Sequence, residues 1–253
     1  MENKLKFYLS KVPYIGIAVF FLFNIIAISQ YPGYDKCSFF DSKNCKSDKY
    51  SFTLNFFSEL GSINTNTDDD YPPINEGGYN NKKNTVSMIL FNGSLIVVGL
   101  VIIVFYQFFY KLFILKKDSK ESMLYSKICR YLGVITGIMF AGVGIAPHDL
   151  NFTWHVIFAN GAFSALLPLS ILHTMSFKKS KHINAKYAYG YILFCLALSS
   201  YLYIIFFGPQ IAPGLAFTEN ELILQVVAQK AIILTFVVAM VYQTQGIRRS
   251  LRP

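Results

Sequence analysis

The sequence predicts an all-α integral membrane bundle of six transmembrane helices, because three properties of the chain agree on it. First, 53% of its 253 residues are hydrophobic and only 15% are charged, whereas soluble domains carry roughly 25% charged residues. Second, the apolar residues form six blocks, each long enough to cross a hydrocarbon core of about 30 Å as a helix. Third, basic residues cluster between alternate blocks. The short alternating segments typical of a transmembrane β-barrel do not occur.

The spans follow in chain order and make one domain of residues 1–253. The third apolar run is rich in glycine, and Gly133 and Gly137 form a pair of small residues four apart that favours close helix packing. Pro168 is expected to kink the fourth span. A cleavable signal peptide is the alternative interpretation of the first run, which is longer than a typical signal sequence. The expected spans cover residues 12–30, 86–110, 128–146, 154–177, 187–208 and 222–242.

The positions of the basic residues predict the orientation. Sixteen lysines and arginines lie before span one, between spans two and three, between spans four and five, and after span six. Six more lie in loop 31–85, where eight acidic residues offset them. The positive-inside rule therefore places both termini in the cytoplasm and loop 31–85 on the extracellular or lumenal side. This distribution explains the net charge of +9, so no nucleic-acid partner is expected.

Loop 31–85 is the only long segment outside the expected spans. On the extracellular or lumenal side, Cys37 and Cys45 are expected to form a disulfide, with two free thiols as the alternative. The aromatic stretch 50–62 fits a short helix on the outer membrane surface or over the mouth of the bundle. The stretch 63–85 is rich in Asn, Asp, Gly and Pro and is expected to be disordered.

Lys230 is the most unusual residue, because it lies inside the apolar run of span six. Charged residues at such depth are rare, and most of them face the bundle interior and serve function. Asn24, Asn92 and Asn160 lie at similar depths, roughly 9 Å below the outer surface at 1.5 Å per residue. These four side chains predict a polar layer in the outer half of the bundle. The alternatives are hydrogen bonds between helices for the amides and a structural salt bridge for Lys230.

Span six offers a polar face as well. Glu221, Gln225 and Gln229 follow one another at intervals of four residues, which places them on one side of a helix. That side is expected to line a wet cleft that opens outward. Lys230 points about 100° away from Gln229, so it need not share the cleft.

A second group of polar residues is expected at the outer mouth, where the chain passes from span three to span four. His148, Asp149 and His155 lie there, and Glu59 of the loop is expected to fold over the same place. Asp149, His155 and Glu59 are candidates for acid–base catalysis. His148, Asp149 and His155 are candidate metal ligands, although no recognised zinc-binding spacing is present. The alternative is that Asp149 caps span four or the turn before it.

Four motifs follow one another along the chain: Phe57-Ser-Glu-Leu-Gly61, Phe91-Asn92, Gly142-Val-Gly-Ile-Ala-Pro-His-Asp149 and His155. In this order they resemble the domain-of-unknown-function 998 family of six-helix membrane proteins. The resemblance covers nearly the whole chain except the stretch 63–85, and it implies no established activity. The turn of this chain has Ala146 where the family usually has Phe, and the last span has Lys230 where the family often has Arg. The family is similar in layout to Frag1-like membrane proteins, some of which are linked to lipid or lipid-anchor processing.

Three functions fit these observations. One is a bundle with an outward-facing site for a small anionic ligand or a lipid headgroup. The second is an intramembrane hydrolase-like enzyme that acts on a lipid or a lipid-anchored substrate, and the third is a non-catalytic partner of another membrane protein. Membrane lipid is the expected partner in each, and no motif indicates a cofactor. The candidate ligand-binding residues are Ser58, Asn92, Asn160, Gln225, Gln229 and Lys230.

Overall fold

A computed structural model confirms the all-α class and describes residues 2–37, 43, 45–65, 82–212, 215 and 217–251. Six helices are long and apolar enough to cross a membrane. A short helix α1 leads into the first of them without a break, since Lys11 N–H donates to the Phe7 carbonyl and Ile15 N–H to the Lys11 carbonyl. The α-helices are α1 (Glu2–Ser10), α2 (Val12–Gln30), α3 (Thr85–Leu115), α4 (Lys120–Ile145), α5 (Phe152–Lys178), α6 (Tyr189–Phe207) and α7 (Glu219–Ser250).

The observed helices α3, α4 and α7 extend several residues beyond the apolar runs. Helix α3 continues to Leu115, α4 begins at Lys120, and α7 continues to Ser250. The added turns carry lysine and arginine, whose side chains reach water while their backbone stays helical. Hydropathy marks only the apolar part of such a helix, so it underestimates helix length.

Three of the α-helices are capped at their starts by side chains. Ser119 accepts from Ser122 N–H at the start of α4, Asn151 accepts from Trp154 N–H at the start of α5, and Thr218 with Glu221 forms a reciprocal capping box at the start of α7. Such caps satisfy amide groups that have no partner within the helix. Asn151 therefore caps the fourth span, and Asp149 has another role.

The helices alternate in direction, so the bundle has two distinct ends. At one end Ser119, before α4, donates to the Lys179 carbonyl after α5, and Lys116 donates to the Ser250 carbonyl at the end of α7. At the other end the 31–65 segment contacts the α4–α5 connection through Asp149. We call these the terminal end and the loop end. The interior near the terminal end is a dense aromatic cluster that includes Phe105, Phe109, Phe177, Tyr191 and Phe194.

The described part of the loop, residues 31–37 and 45–65, lies over the loop end of the helices, and we call it the cap. Strands β1 (Tyr34–Asp35) and β2 (Lys46–Ser47) pair antiparallel, and a disulfide joins Cys37 to Cys45 beside them. The aromatic stretch forms a 3-10 helix, Phe57–Gly61, over the bundle mouth.

Strands β3 (Asn64–Thr65) and β4 (Lys82–Lys83) pair antiparallel within the stretch expected to be disordered. Residues 66–81 lie outside the described residues.

Candidate functional site

A buried ion pair forms the centre of the cap. Lys36 Nζ lies 3.0 and 3.1 Å from the two carboxylate oxygens of Glu59, and the two side chains are 2% and 10% exposed. The Glu59 carboxylate also accepts from the Asn55 side-chain amide and, at 2.8 Å, from Phe56 N–H. A buried carboxylate needs such a set of donors, because desolvation otherwise penalises its charge. Glu59 therefore organises the cap.

Lys230 reaches up from α7 to the same centre. Its Nζ donates to the Asn55 carbonyl at 2.6 Å and lies 5.4 and 5.2 Å from the ring centroids of Tyr50 and Phe57, within cation–π distance. The Asn55 carbonyl also accepts from the Tyr50 hydroxyl at 3.0 Å. Burial, with a smaller contribution from Glu59, raises the pKa of that hydroxyl, which keeps it protonated and a donor.

The polar face of α7 binds backbone groups. Gln229 Oε1 accepts from Phe57 N–H at 2.9 Å, and the Gln225 amide donates to the Pro209 carbonyl in the α6–α7 connection. Glu221 completes the capping box of α7 with Thr218. The three residues therefore act separately and line no common cleft. The Gln229 Nε2 group makes no hydrogen bond within the described part of the chain.

Helix α3 holds the other end of the 3-10 helix. The Asn92 amide donates to the Gly61 carbonyl at 2.9 Å, and Ser87 donates to the Leu60 carbonyl at 2.9 Å. The Asn84 amide donates to the carbonyls of Leu60 and Ser62, both at 3.0 Å. A Cβ atom at Gly61 would lie 2.3 Å from Asn92 Oδ1, so a larger residue there would displace the Asn92 side chain that holds the 3-10 helix.

Asp149 binds the cap backbone. Its carboxylate accepts from Ile63 N–H at 3.0 and 2.9 Å and from Asn64 N–H at 3.0 Å. His155 is buried, and its Nδ1 lies 2.8 Å from the Ala146 carbonyl. A carbonyl only accepts, so Nδ1 carries the hydrogen. The His148 and His155 ring centroids are 5.8 Å apart.

The structure does not assemble the candidate metal ligands into a site. Across residues 2–37, 43, 45–65, 82–212, 215 and 217–251, no group of three His, Cys, Asp or Glu side chains is placed to hold a metal ion. The Asp149 carboxylate instead accepts backbone hydrogen bonds. His148, Asp149 and His155 thus lie near one another along the chain without converging on a common point.

The remaining two amides of the polar layer differ from each other. Asn24 is buried, and its amide donates to the Phe20 carbonyl at 2.7 Å and to Ser94 Oγ at 3.2 Å, which links α2 to α3. Asn160 is half-buried, and its side chain makes no hydrogen bond to any described residue. Asn24 is therefore an inter-helix contact, whereas Asn160 contributes to no described interaction.

A cavity lies directly beneath the cap, between helices α2 to α7. The space open to the centre of a water-sized sphere is about 130 Å³. Its walls are almost wholly apolar, with Leu95, Ile102 and Leu166 among the side chains that form them. Its polar lining residues are Ser58, His155 and Gln229. Of these, Ser58 makes no hydrogen bond through its hydroxyl within the described residues.

Several residues of the site were not predicted. Lys36, Asn55 and Tyr50 looked like ordinary loop residues, and no local pattern sets them apart. A further buried polar group near the terminal end was also missed. There His173 Nδ1 lies 3.1 Å from the Tyr106 hydroxyl, and Gln243 is fully buried. Intramembrane histidine and glutamine were the available signal.

No family model, no curated protein and no solved structure matches this chain, so its resemblance to the domain-of-unknown-function 998 family stays a prediction.

Proposed function

We propose that this multi-pass membrane protein binds an amphipathic, lipid-like ligand, with its hydrocarbon chain in the cavity and its polar end beneath the cap. The observation that carries the proposal is the separation of polar and apolar lining. Ser58, His155 and Gln229 lie at the cap end of the cavity, and the rest of the lining is apolar. Ligand sites commonly combine apolar walls with a few polar groups that orient the ligand.

The length over which residues line the cavity matches a single extended chain. Its lining runs from Phe91 to Ile102 on α3, and from Gln229 to Met240 on α7. At 1.5 Å per residue, each interval is about 16 Å long. A zigzag hydrocarbon with bonds of ~1.5 Å advances about 1.3 Å per carbon, so a chain of about a dozen carbons matches this length.

The hydrolase-like alternative has less support. A carboxylate that acts as a general base must reach a substrate proton, but Glu59 accepts from Lys36 and from the cap backbone. Asp149 accepts three backbone hydrogen bonds. Neither carboxylate lines the cavity. His155 does line it, but the hydrogen on its Nδ1 is donated to the Ala146 carbonyl. Both carboxylates are better explained as residues that hold the cap in place.

Filling the cavity should abolish ligand binding. Ala159 lines the cavity and is half-buried, so Ala159→Phe places a ring in the space for the chain. Lipid that co-purifies with the protein in mild detergent should be lost from this variant, as measured by native mass spectrometry. Ala231→Phe is the matched control, because Ala231 is exposed and does not line the cavity. Equal occupancy in Ala159→Phe and wild type, with both proteins folded, would exclude the cavity as the site.

We further propose that the terminal end faces the cytoplasm and the cap faces the extracellular or lumenal side. Lysine and arginine residues concentrate at the terminal end, in the connections between α3 and α4 and between α5 and α6. The positive-inside rule favours this orientation.

Cysteine labelling tests the orientation. With Cys129 and Cys195 changed to serine, single cysteines replace the exposed residues Thr153, at the loop end, and His182, at the terminal end. A membrane-impermeant maleimide should label Thr153→Cys in sealed cells, and His182→Cys only after permeabilisation. The reverse pattern would refute the orientation. Labelling of both from one side would refute the antiparallel arrangement itself.

A further inference from the structure

Among the described residues, the charges of the cluster formed by Lys36, Glu59 and Lys230 do not balance. Lys36 and Glu59 neutralise each other as an ion pair. Lys230 belongs to the same cluster, and the charged groups that act on its ammonium are Glu59, which attracts it, and Lys36, which repels it. No carboxylate lies within ion-pair distance of Lys230 among the described residues. The cluster of three therefore carries one uncompensated positive charge.

The Lys230 ammonium is also incompletely bonded. It has three donors but one hydrogen-bond acceptor within the described chain, the Asn55 carbonyl. Its other neighbours are the faces of Tyr50 and Phe57, which stabilise a cation without neutralising it. Phe57, whose ring the Lys230 ammonium faces, also lines the cavity. Only the Phe57 side chain therefore separates the unpaired charge from the place proposed for the polar end of the ligand.

Two uncharged donors complete the arrangement. The Ser58 hydroxyl and the Gln229 Nε2 group belong to residues that line the cavity, and neither makes a hydrogen bond within the described residues. Phe57 N–H donates a hydrogen bond to Gln229 Oε1, which orients the Gln229 side chain. The amide nitrogen of Gln229 is then left as a donor for a ligand. Donors near an unpaired cation form a setting for anionic oxygens.

From this we infer that the ligand is a single-chain anionic lipid, a carboxylate or a phosphate monoester with a chain of about a dozen carbons by the length argument above. This inference rests on the proposed function and adds the charge of the head to it. The head oxygens accept hydrogen bonds from Ser58 and Gln229. Lys230 supplies the compensating charge across the cap, whose low-dielectric interior makes a charge act more strongly than in water.

Binding of matched ligands to the full chain in nanodiscs of zwitterionic lipid tests the inference. The ligands share a dodecyl-length chain and differ in head: dodecanoate, dodecyl phosphate, dodecanol and dodecyltrimethylammonium. Calorimetric titration measures each, and nanodiscs with Ala159→Phe serve as the blank for partition into bilayer. The two anions should bind at least about tenfold more tightly than dodecanol, since a unit charge at this range in a partly buried site contributes at least that factor. The cationic ligand should bind more weakly still.

Lys230→Gln removes the charge and retains a donor for the Asn55 carbonyl. It should reduce the anion preference, measured as the ratio of anion to dodecanol affinity in the same variant, to near unity. Lys230→Arg, which keeps the charge, should retain the preference and shows that the position tolerates substitution. Comparison of dodecanoate with dodecyl phosphate distinguishes the two anionic heads. The ligand that binds with the higher affinity identifies the head as a carboxylate or as a phosphate monoester.

Failure of the inference and of the proposed function are distinguishable. Equal binding of dodecanol and both anions would overturn the anionic assignment and leave the chain site in place. An anion preference that persists in Lys230→Gln would overturn the role of Lys230. Binding of no dodecyl ligand above the Ala159→Phe blank, or equal binding of chainless acetate or inorganic phosphate, would overturn the proposed function and the inference with it.

Discussion

Replacement of Lys36 by methionine should lower the free energy of unfolding by roughly 3–5 kcal/mol, because it leaves the Glu59 carboxylate buried without its cation. The Lys36 side chain is 2% exposed and that of Glu59 is 10% exposed, so water cannot replace the lost partner. The remaining hydrogen bonds from Asn55 and Phe56 do not neutralise the charge, and Lys230, the other cation of the cluster, forms no ion pair with Glu59 among the described residues. Unfolding by a denaturing detergent, followed by circular dichroism, measures the change.

Lys46→Met is the matched control for this prediction. Lys46 forms an ion pair with Asp35 at 3.0 Å on the neighbouring strand, but its side chain is 63% exposed. Exposed pairs typically contribute 0.2–1 kcal/mol, so this variant should differ little from wild type. The double variant Lys36→Met, Glu59→Gln should recover much of the loss, because it removes the unpaired charge. Equal losses for Lys36→Met and Lys46→Met would show that the cap pair is not a buried one.

Alanine at Gly99 should destabilise the bundle by about 1–3 kcal/mol, and leucine at the same position should prevent correct packing. Helices α3 and α4 cross here with their backbones in contact. A Cβ atom at Gly99 would lie 2.3 Å from the Gly137 carbonyl oxygen, and a Cβ at Gly137 would lie 2.5 Å from the Gly99 carbonyl oxygen. The obstacle in both cases is backbone, which cannot rotate away as a side chain can.

Gly93→Ala tests the specificity of this effect. Gly93 lies on the same helix, and a Cβ there has no neighbour within 4 Å. Thermal denaturation in one detergent compares the variants: Gly99→Ala and Gly137→Ala should lower the midpoint, while Gly93→Ala should not. A midpoint for Gly99→Ala as high as that for Gly93→Ala would mean that the helices do not cross at these glycines.

The glycines illustrate how far a pattern predicts packing. Gly137 was part of the pair singled out with Gly133, and both lie at the α3–α4 contact, where a Cβ at Gly133 would meet Tyr106. The pattern gave no information on the opposite helix, because small residues are common in membrane spans. Only the packing of α3 against α4 shows that Gly99 is the partner of Gly137.

The polar residues illustrate the reverse case. Lys230 and Asn92 were singled out as groups that need partners, since a polar group in hydrocarbon is costly unless it is bonded. Gln229 was singled out as part of a polar face. The partners of all three are backbone groups of Asn55, Gly61 and Phe57. Every residue presents such groups, so no sequence pattern distinguishes the ones that are used.

The number of spans and the all-α class were determined by the sequence itself. A backbone N–H or C=O group without a hydrogen bond is costly in hydrocarbon, so a long apolar run forms a helix, in which these groups bond one another. The tertiary structure alone decided how the loop closes over the bundle, which amides hold it there, and that an apolar cavity lies beneath it. Those features depend on which side chains meet across tens to nearly two hundred residues, as Lys230 meets Asn55. Local composition does not reveal such long-range contacts, since the same side chains in a different packing would form their hydrogen bonds with other groups.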